Sequence, residues 1–477
     1  MLPATAVRCL RWRNDAPGSG GPLMGTGIGQ LVPLVLYAGV ICTCVLSVFW
    51  KPQAGVYVLI PLLPYEALRE KLVDYPAGSH VIYLLLISVL VGVALKGQLP
   101  IPRTPVNRAL LAFAAFLYVS LWQGALYLRS DFPLLPTDPR FSVWKDYMAM
   151  PLLFVVTMAA IRTRRQVQLV LLLVCFSILV VDRSALMNVL SHNFSHFDEG
   201  KRDGGPLGYA GSNGLAAFEA QCSCFLLGFA AYEKRRLRKF ALYGLVAITL
   251  YCLLYSFSRG GYVALLAGLL VIGILKNRKM VLVVAGLLLT WQLIVPVAVQ
   301  ERINMTVDED QHLEESANQR VQLWTDAQEL VRSNPALGTG YATYMYMGRV
   351  EGLKDTHNIY VKVLVETGVI GMVVFLWLLA RLFSTAWRLF RQSGDAFSNG
   401  LALGLLSLLG CLLVANLFGD RWTYIEVNGL VWVLFAIAAQ TFIFNSAAQP
   451  EPVVLADVDA DVKPLTASVG LWERARS

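Results

Sequence analysis

Apolar residues in this chain gather into runs bounded by charge or by Pro/Gly, and the runs approach the roughly 20 residues that span hydrocarbon. They lie at 31–64, 80–95, 107–128, 146–161, 166–181, 213–232, 237–257, 260–275, 280–298, 359–385, 398–419 and 424–445. Twelve units result, and they predict an all-α, polytopic membrane protein with about 12 transmembrane helices and one large outer loop. The first unit is too long for one straight helix and contains Lys51-Pro52, so it is two short helices or one broken one.

Composition excludes an ordinary soluble protein: 56% of the 477 residues are hydrophobic and only 15% charged, against about 25% charged in soluble domains. Forty Lys+Arg against 32 Asp+Glu leave a formal charge of +8, which in a soluble chain would raise the question of nucleic acid. Here the positions of the basic residues answer it. Alternate connections carry the excess expected of a cytoplasmic face: Arg8, Arg11 and Arg13; Lys96, Arg103 and Arg108; Arg162, Arg164 and Arg165; Lys234, Arg235, Arg236, Arg238 and Lys239; Lys276, Arg278 and Lys279; Arg381, Arg388 and Arg391. The alternation holds with both termini in the cytoplasm if residues 31–64 cross once, which favours twelve spans over thirteen. No nucleic-acid partner is implied. Residues 1–30, basic then Gly/Pro/Ser-rich, read as a disordered cytoplasmic lead, and the polar, mildly acidic 446–477 as a disordered tail. The membrane domain is then 31–445.

The connections on the opposite face are 65–79, 129–145, 182–212, 299–357 and 420–423, and function is expected there. The largest, Val299 to His357, holds five Lys/Arg against ten Asp/Glu. Within it, Ser316 to Val331 places Ala317, Val321, Trp324 and Val331 near one helical face, with Pro335, Gly338 and Gly340 beyond, so a short amphipathic helix on the membrane surface is predicted. Seven of the eight cysteines lie in apolar runs and read as free thiols. His192 and His196, four apart beside Asp198 and Glu199, would suit a metal only on a helix. The segment reads as loop with no third ligand fixed by spacing, so no metal or cofactor is expected.

Arg259 interrupts two apolar runs joined by almost nothing else, Ser258-Arg259-Gly260-Gly261. Its planar fork matches a phosphate bidentately, and the two glycines let helices meet closely or leave backbone N–H groups accessible. The alternative is an arginine snorkelling to the headgroups. Arg320 precedes Trp324 by four residues on the amphipathic helix; a solvated helix face is its plainer reading. His357-Asn358 opens the tenth run, where unpaired N–H groups favour anions and lower a histidine's pKa; capping by Asn358 beside an incidental histidine is the alternative. Lys362 and Glu366 are spaced to pair with each other. Lys201-Arg202 lies in a glycine-rich loop leading to Ser212-Asn213, either an anion-holding loop or a flexible turn.

Together, Ser258-Arg259-Gly260-Gly261, a long outer loop with Arg320 and Trp324, Gly338-Thr339-Gly340-Tyr341, and His357-Asn358 opening a span resemble the O-antigen ligase and O-antigen polymerase superfamily of bacterial inner membranes, over roughly residues 200–420. The segment from Arg202 to Asn213 also looks like a recurrent loop of these proteins. The resemblance implies a metal-independent inverting glycosyltransferase at the periplasmic face. Its donor would be an undecaprenyl pyrophosphate-linked glycan, and its acceptor the hydroxyl of lipid A-core, another glycan or a protein, with membrane lipids around it. It implies His357 as catalytic base; a site without metal must take its positive charge from basic side chains, for which Arg259 and Arg320 are the catalytic candidates and Arg202 the third, with Arg202, Asn213, Ser258, Gly260, Gly261, Trp324 and Asn358 expected to bind substrate. O-antigen ligation in lipopolysaccharide biosynthesis ranks first, ahead of repeat-unit polymerisation and protein O-glycosylation. A multi-span transporter shares the composition, but no two-fold repeat is evident and the charged candidates cluster at one face instead of the midplane.

Overall fold

A computed structural model describes residues 28–135, 137–192, 194–305, 315–350, 355–392 and 394–447. The expected lead and tail lie outside them except for residues 28–30 and 446–447, which belong to the first and last helices. The described residues form helices α1 (Ile28–Phe49), α2 (Gln53–Leu62), α3 (Glu66–Glu70), α4 (Val81–Leu95), α5 (Pro105–Tyr127), α6 (Pro139–Ala160), α7 (Arg164–Ser191), α8 (Gly211–Ala230), α9 (Arg236–Leu254), α10 (Arg259–Leu275), α11 (Lys279–Ile294), α12 (Val297–Asn304), α13 (Glu315–Ser333), α14 (Tyr344–Met347), α15 (Ile359–Gln392), α16 (Ala396–Ala415) and α17 (Ile425–Ala447), with no β-strand among the described residues. Each apolar run falls on a helix or a helix pair. Among the described residues nine helices are long and apolar enough to cross a membrane, ten if α11 and α12, bent by 109° at their junction, count as one span; α2 and α10 are apolar but shorter. The chain is a polytopic all-α membrane protein.

Helix starts follow local chemistry. Thr104 and Asp138 cap α5 and α6, each followed by proline at the first helical position. Thr163 and Gln166 form a capping box on α7, and Asp395 caps α16 through the amides of Phe397 and Ser398. At the centre, α8, α16 and α10 meet along small residues. A Cβ at Gly228 would lie 2.6 Å from the Gly404 Cα, one at Gly268 would strike the Cys224 sulfur, and Ser407 Oγ donates to the Gly268 carbonyl at 2.8 Å. Backbones approach this closely because, within lipid, association rests on packing and interhelical hydrogen bonds.

Residues 31–64 form a helical hairpin, not one continuous helix. α2 folds back on α1: a Cβ at Gly55 would meet Val89 and Ser47, and one at Gly92 would meet the Ser47 carbonyl and Pro52. At the other end, the Tyr37 hydroxyl donates to the Pro76 carbonyl and its ring stacks on Tyr75. α1 therefore runs parallel to α4, and α2 returns about 15 Å between them. The hairpin turns at Lys51-Pro52, where proline cannot continue a helix. It brings the start of α1 to the end of the bundle that holds the outer connections.

The basic connections do share one end. Arg162 donates to the Gln98 carbonyl, Arg164 pairs with Asp395 at 2.5 Å, and Lys276 and Arg388 lie over the rings of Tyr232 and Phe442. At the opposite end Glu66 accepts from the Tyr209 amide at 2.6 Å and Arg69 pairs with Glu426.

α15 breaks at Gly368 (φ 63°, ψ −166°), and the segment 335–340 docks into the break. Thr339 N donates to the Val365 carbonyl (2.9 Å), Gly340 N to that of Glu366 (2.8 Å) and Val369 N to that of Pro335 (2.9 Å). A Cβ at Gly368 would lie 2.3 Å from the Ala336 oxygen in a backbone region unfavourable to L residues. Gly368→Ala is expected to destabilise the protein by about 3 kcal/mol, combining strain with a backbone clash. Its thermal unfolding midpoint in detergent should fall clearly below that of the parent.

Candidate functional site

The start of α10 and the loop before α8 are joined through one oxygen. Asn213 Oδ1 accepts from Ser258 Oγ (2.8 Å) and from Arg202 Nη2 (3.0 Å). Arg202 also donates to the Ser256 carbonyl (3.2 Å) and to Glu199 (2.6 Å), so its side chain is only 7% exposed. Phe257, just before this junction, holds a positive φ of 53°. The two glycines after Arg259 serve close approach: a Cβ at Gly260 would be 2.8 Å from Phe418, and one at Gly261 would be 3.0 Å from Ala216. Arg259 thus stands, half exposed, where α10 abuts the connection following α16.

That connection also receives His357. Ile359 N donates to the Asn416 carbonyl at 3.1 Å, and the Asn358 side chain caps α15 through the amides of Tyr360 (2.9 Å) and Val361 (3.3 Å). Thr356 Oγ1 donates to the Asn358 carbonyl, while Trp324 Nε1 donates to the Thr356 carbonyl at 3.1 Å. The amphipathic helix α13 is thereby pinned beside the histidine, with Leu323, Ala327 and Leu330 buried against α15. His357 has φ 52°, a strained value held in place by these contacts. Its side chain remains 40% exposed, with Nδ1 4.0 Å from Asp355 Oδ2. Burial holds the ring's pKa below its usual value; Asp355 opposes this, and the positive charges of Arg320 and Arg421 add to it. Asn358 is a helix cap, as expected on the alternative in which it caps α15.

Sequence reasoning missed the loop 416–424. Its Asp420 accepts from Lys362 Nζ (2.8 Å) and from the Thr423 hydroxyl and amide. Lys362 also lies 3.9 Å from Asp355. The expected Lys362–Glu366 pairing is absent: Glu366 accepts instead from the amides of Ala342 (3.0 Å) and Tyr344 (3.4 Å). Arg421 follows Asp420, and its backbone is fixed on both sides: its N–H donates to Asn416 Oδ1 at 3.0 Å and its carbonyl accepts from the Asn428 amide. Burial pulls its pKa down from the usual arginine value; Tyr424, Asp420 and Asp355 oppose this, and the like charge of Arg202 adds to it. A single arginine in a four-residue connection offers no periodicity or motif, and its proximity to Asp420 was its only signal.

The ten sequence-derived residues therefore occupy one end of the bundle and connect in two groups, Arg202–Asn213–Ser258–Arg259–Gly260–Gly261 and Arg320–Trp324–His357–Asn358, bridged by 416–421. Gly338 to Tyr341 serve as a clasp, since Gln123 Nε2 donates to the Gly338 carbonyl (2.8 Å) and Tyr341 N to the Ser120 carbonyl (3.1 Å). Among the described residues no group of three or more His, Cys, Asp or Glu could hold a metal. His196 meets Glu301 at 2.7 Å, tying its loop to α12.

The arrangement offers guanidinium groups for an anion, a half-exposed imidazole for a proton, and apolar helices on which a lipid chain could rest. No curated protein matches the chain. Residues 244–376, which contain Arg259, Arg320 and His357, match the family model described as O-Antigen ligase, a match that supports the resemblance to the O-antigen ligase superfamily.

Proposed function

We propose that this protein transfers a glycan from undecaprenyl pyrophosphate to an acceptor hydroxyl at the periplasmic face of the inner membrane, with O-antigen ligation to lipid A-core as the leading activity. The match of residues 244–376 to the O-Antigen ligase family model supports glycosyl transfer of the ligase or polymerase kind. The observation that carries the specific reading is the half-exposed His357 ring, its pKa held low by burial, beside Arg320 and Arg421 at the bundle end that also holds Arg202 and Arg259.

In this reading the basic side chains hold the pyrophosphate and stabilise the charge that grows on it as the anomeric C–O bond breaks, which metal-free chemistry requires. The acceptor oxygen attacks the anomeric carbon from the opposite face. Its proton passes to His357, most directly to Nε2 because Nδ1 faces Asp355. Undecaprenyl pyrophosphate departs, configuration inverts, and the imidazolium returns its proton to water. Asn213 and Ser258 position Arg202 and the start of α10; Trp324 and Asn358 position the loop that carries the histidine.

The activity is tested by giving purified protein a lipid-linked glycan with lipid A-core, a second lipid-linked repeat or a protein acceptor. Extension of lipid A-core supports ligation, extension of another acceptor replaces it with that activity, and solute movement in liposomes without glycan transfer would favour a transporter. A pH profile adds a finer check. The neutral ring is the active form, so kcat/KM should fall only below the lowered pKa of His357. Asp355 raises that pKa, so Asp355→Asn should move the acidic limb to still lower pH; an upward shift would contradict the assignment.

A further inference from the structure

We infer that Arg421, in the connection between α16 and α17, is a direct ligand of the donor's pyrophosphate, resting on the proposed lipid-diphosphate reading and adding to it a residue outside the stretch that the family model matches.

The case begins with charge. Arg421 is only partly exposed, yet its guanidinium makes no ion pair and no hydrogen bond among the described residues. An enclosed guanidinium with no carboxylate bonded to it is costly, and arginine does not escape the cost by losing its proton. The nearby carboxylates are committed elsewhere. Asp420 is bound by Lys362 at 2.8 Å and by Thr423, and Asp355 stands between Lys362 at 3.9 Å and His357 at 4.0 Å. Arg202, close enough to be felt electrostatically, adds repulsion and is itself held by Glu199. The local balance calls for an anion from outside.

The geometry is prepared for one. Both backbone polar groups of Arg421 are held by side chains that are almost fully buried, Asn416 and Asn428. The guanidinium folds back over Gly419, where a Cβ would come within 2.7 Å of Nη2. It is therefore placed by a rigid loop. It sits within the electrostatic reach of both His357 and Arg202, so an anion on its fork would be felt by the proton acceptor and by the Arg202–Asn213–Ser258 group. A diphosphate has enough oxygens to meet both, and a monophosphate has fewer.

The test measures binding of undecaprenyl pyrophosphate and of undecaprenyl phosphate to the full chain in nanodiscs, for the parent, Arg421→Gln and Arg421→Lys, with unfolding midpoints recorded beside them. A charge-assisted bond of this kind predicts a loss of diphosphate affinity of about tenfold to a hundredfold in Arg421→Gln. The loss in Arg421→Lys should be smaller, and monophosphate binding should change less than diphosphate binding. Removing this charge should also raise the pKa of His357 and move the acidic limb of kcat/KM upward, which loss of packing alone would not do. Parental diphosphate affinity in a folded Arg421→Gln or Arg421→Lys protein overturns the inference and leaves the proposed function standing. Failure of the parent itself to prefer the diphosphate overturns both.

Discussion

Purified His357→Ala protein is expected to fold and bind donor normally, yet to transfer glycan at least about a thousandfold more slowly, within the range that a positioned general base supplies. The fold should survive because the contacts that order this turn do not pass through the imidazole. Asn358 caps α15 with its own side chain, Thr356 bonds the Asn358 carbonyl, and Trp324 holds the Thr356 carbonyl. The ring is 40% exposed and leaves no core cavity when removed. The positive φ at this position supplies a control. Asparagine tolerates the left-handed region well, so His357→Asn relieves strain without supplying a base and should be as inactive as the alanine variant. Product formation from lipid-linked glycan, alongside donor binding and an unfolding midpoint, checks the prediction. Appreciable transfer by either variant would remove His357 from the reaction.

The hydrophobic runs exposed most of the fold because hydrocarbon leaves the backbone few choices: a spanning segment must satisfy its own N–H and C=O groups, and a helix does so within one run of sequence. The same logic found the break at Lys51-Pro52 but could not see that α2 folds back on α1. Charge alternation favoured one crossing over 31–64, whereas the turn depends on close packing among Ser47, Gly55 and Gly92, which lie on three different helices. Helix spacing likewise suggested that Lys362 would pair with Glu366, but tertiary partners won. Asp420 lies 58 positions away in sequence and takes the lysine, and two loop amides take the glutamate. The candidate site was partly legible because two of its parts stand at the starts of helices, Arg259 before two glycines and His357 before Asn358. The bridge between them was not. Residues 416–421 are a short connection whose importance comes from what folding brings beside it, namely Gly260 on Phe418, Ile359 on Asn416 and Arg421 near His357. Gly338 to Tyr341 carry the opposite lesson: a motif prominent in the sequence does its work as a clasp on α5 and the broken α15.

Lysine at position 259 preserves the charge and should still reduce kcat/KM by about a hundredfold. The position explains the expectation. Arg259 is the first residue of α10, preceded by the positive-φ Phe257 and by Ser258, whose hydroxyl is committed to Asn213. Gly260 then packs on Phe418 too closely for a Cβ. The Cα of residue 259 is therefore fixed by its neighbours, and the side chain's reach and shape decide what it can contact. A guanidinium presents two parallel N–H groups to two oxygens, while an ammonium on a flexible stem is a point charge that lacks this fork. If the pyrophosphate is gripped bidentately, lysine loses one charge-assisted bond and the orientation it imposed, with the larger loss as negative charge grows on the leaving group. The expected signature is a fall in kcat greater than the rise in KM, with the unfolding midpoint unchanged because residue 259 is only half-buried. If Arg259 instead snorkels to headgroups, lysine should serve equally well. Parental activity in Arg259→Lys would then return the arginine to the membrane surface and leave Arg202, Arg320 and Arg421 to hold the pyrophosphate without it.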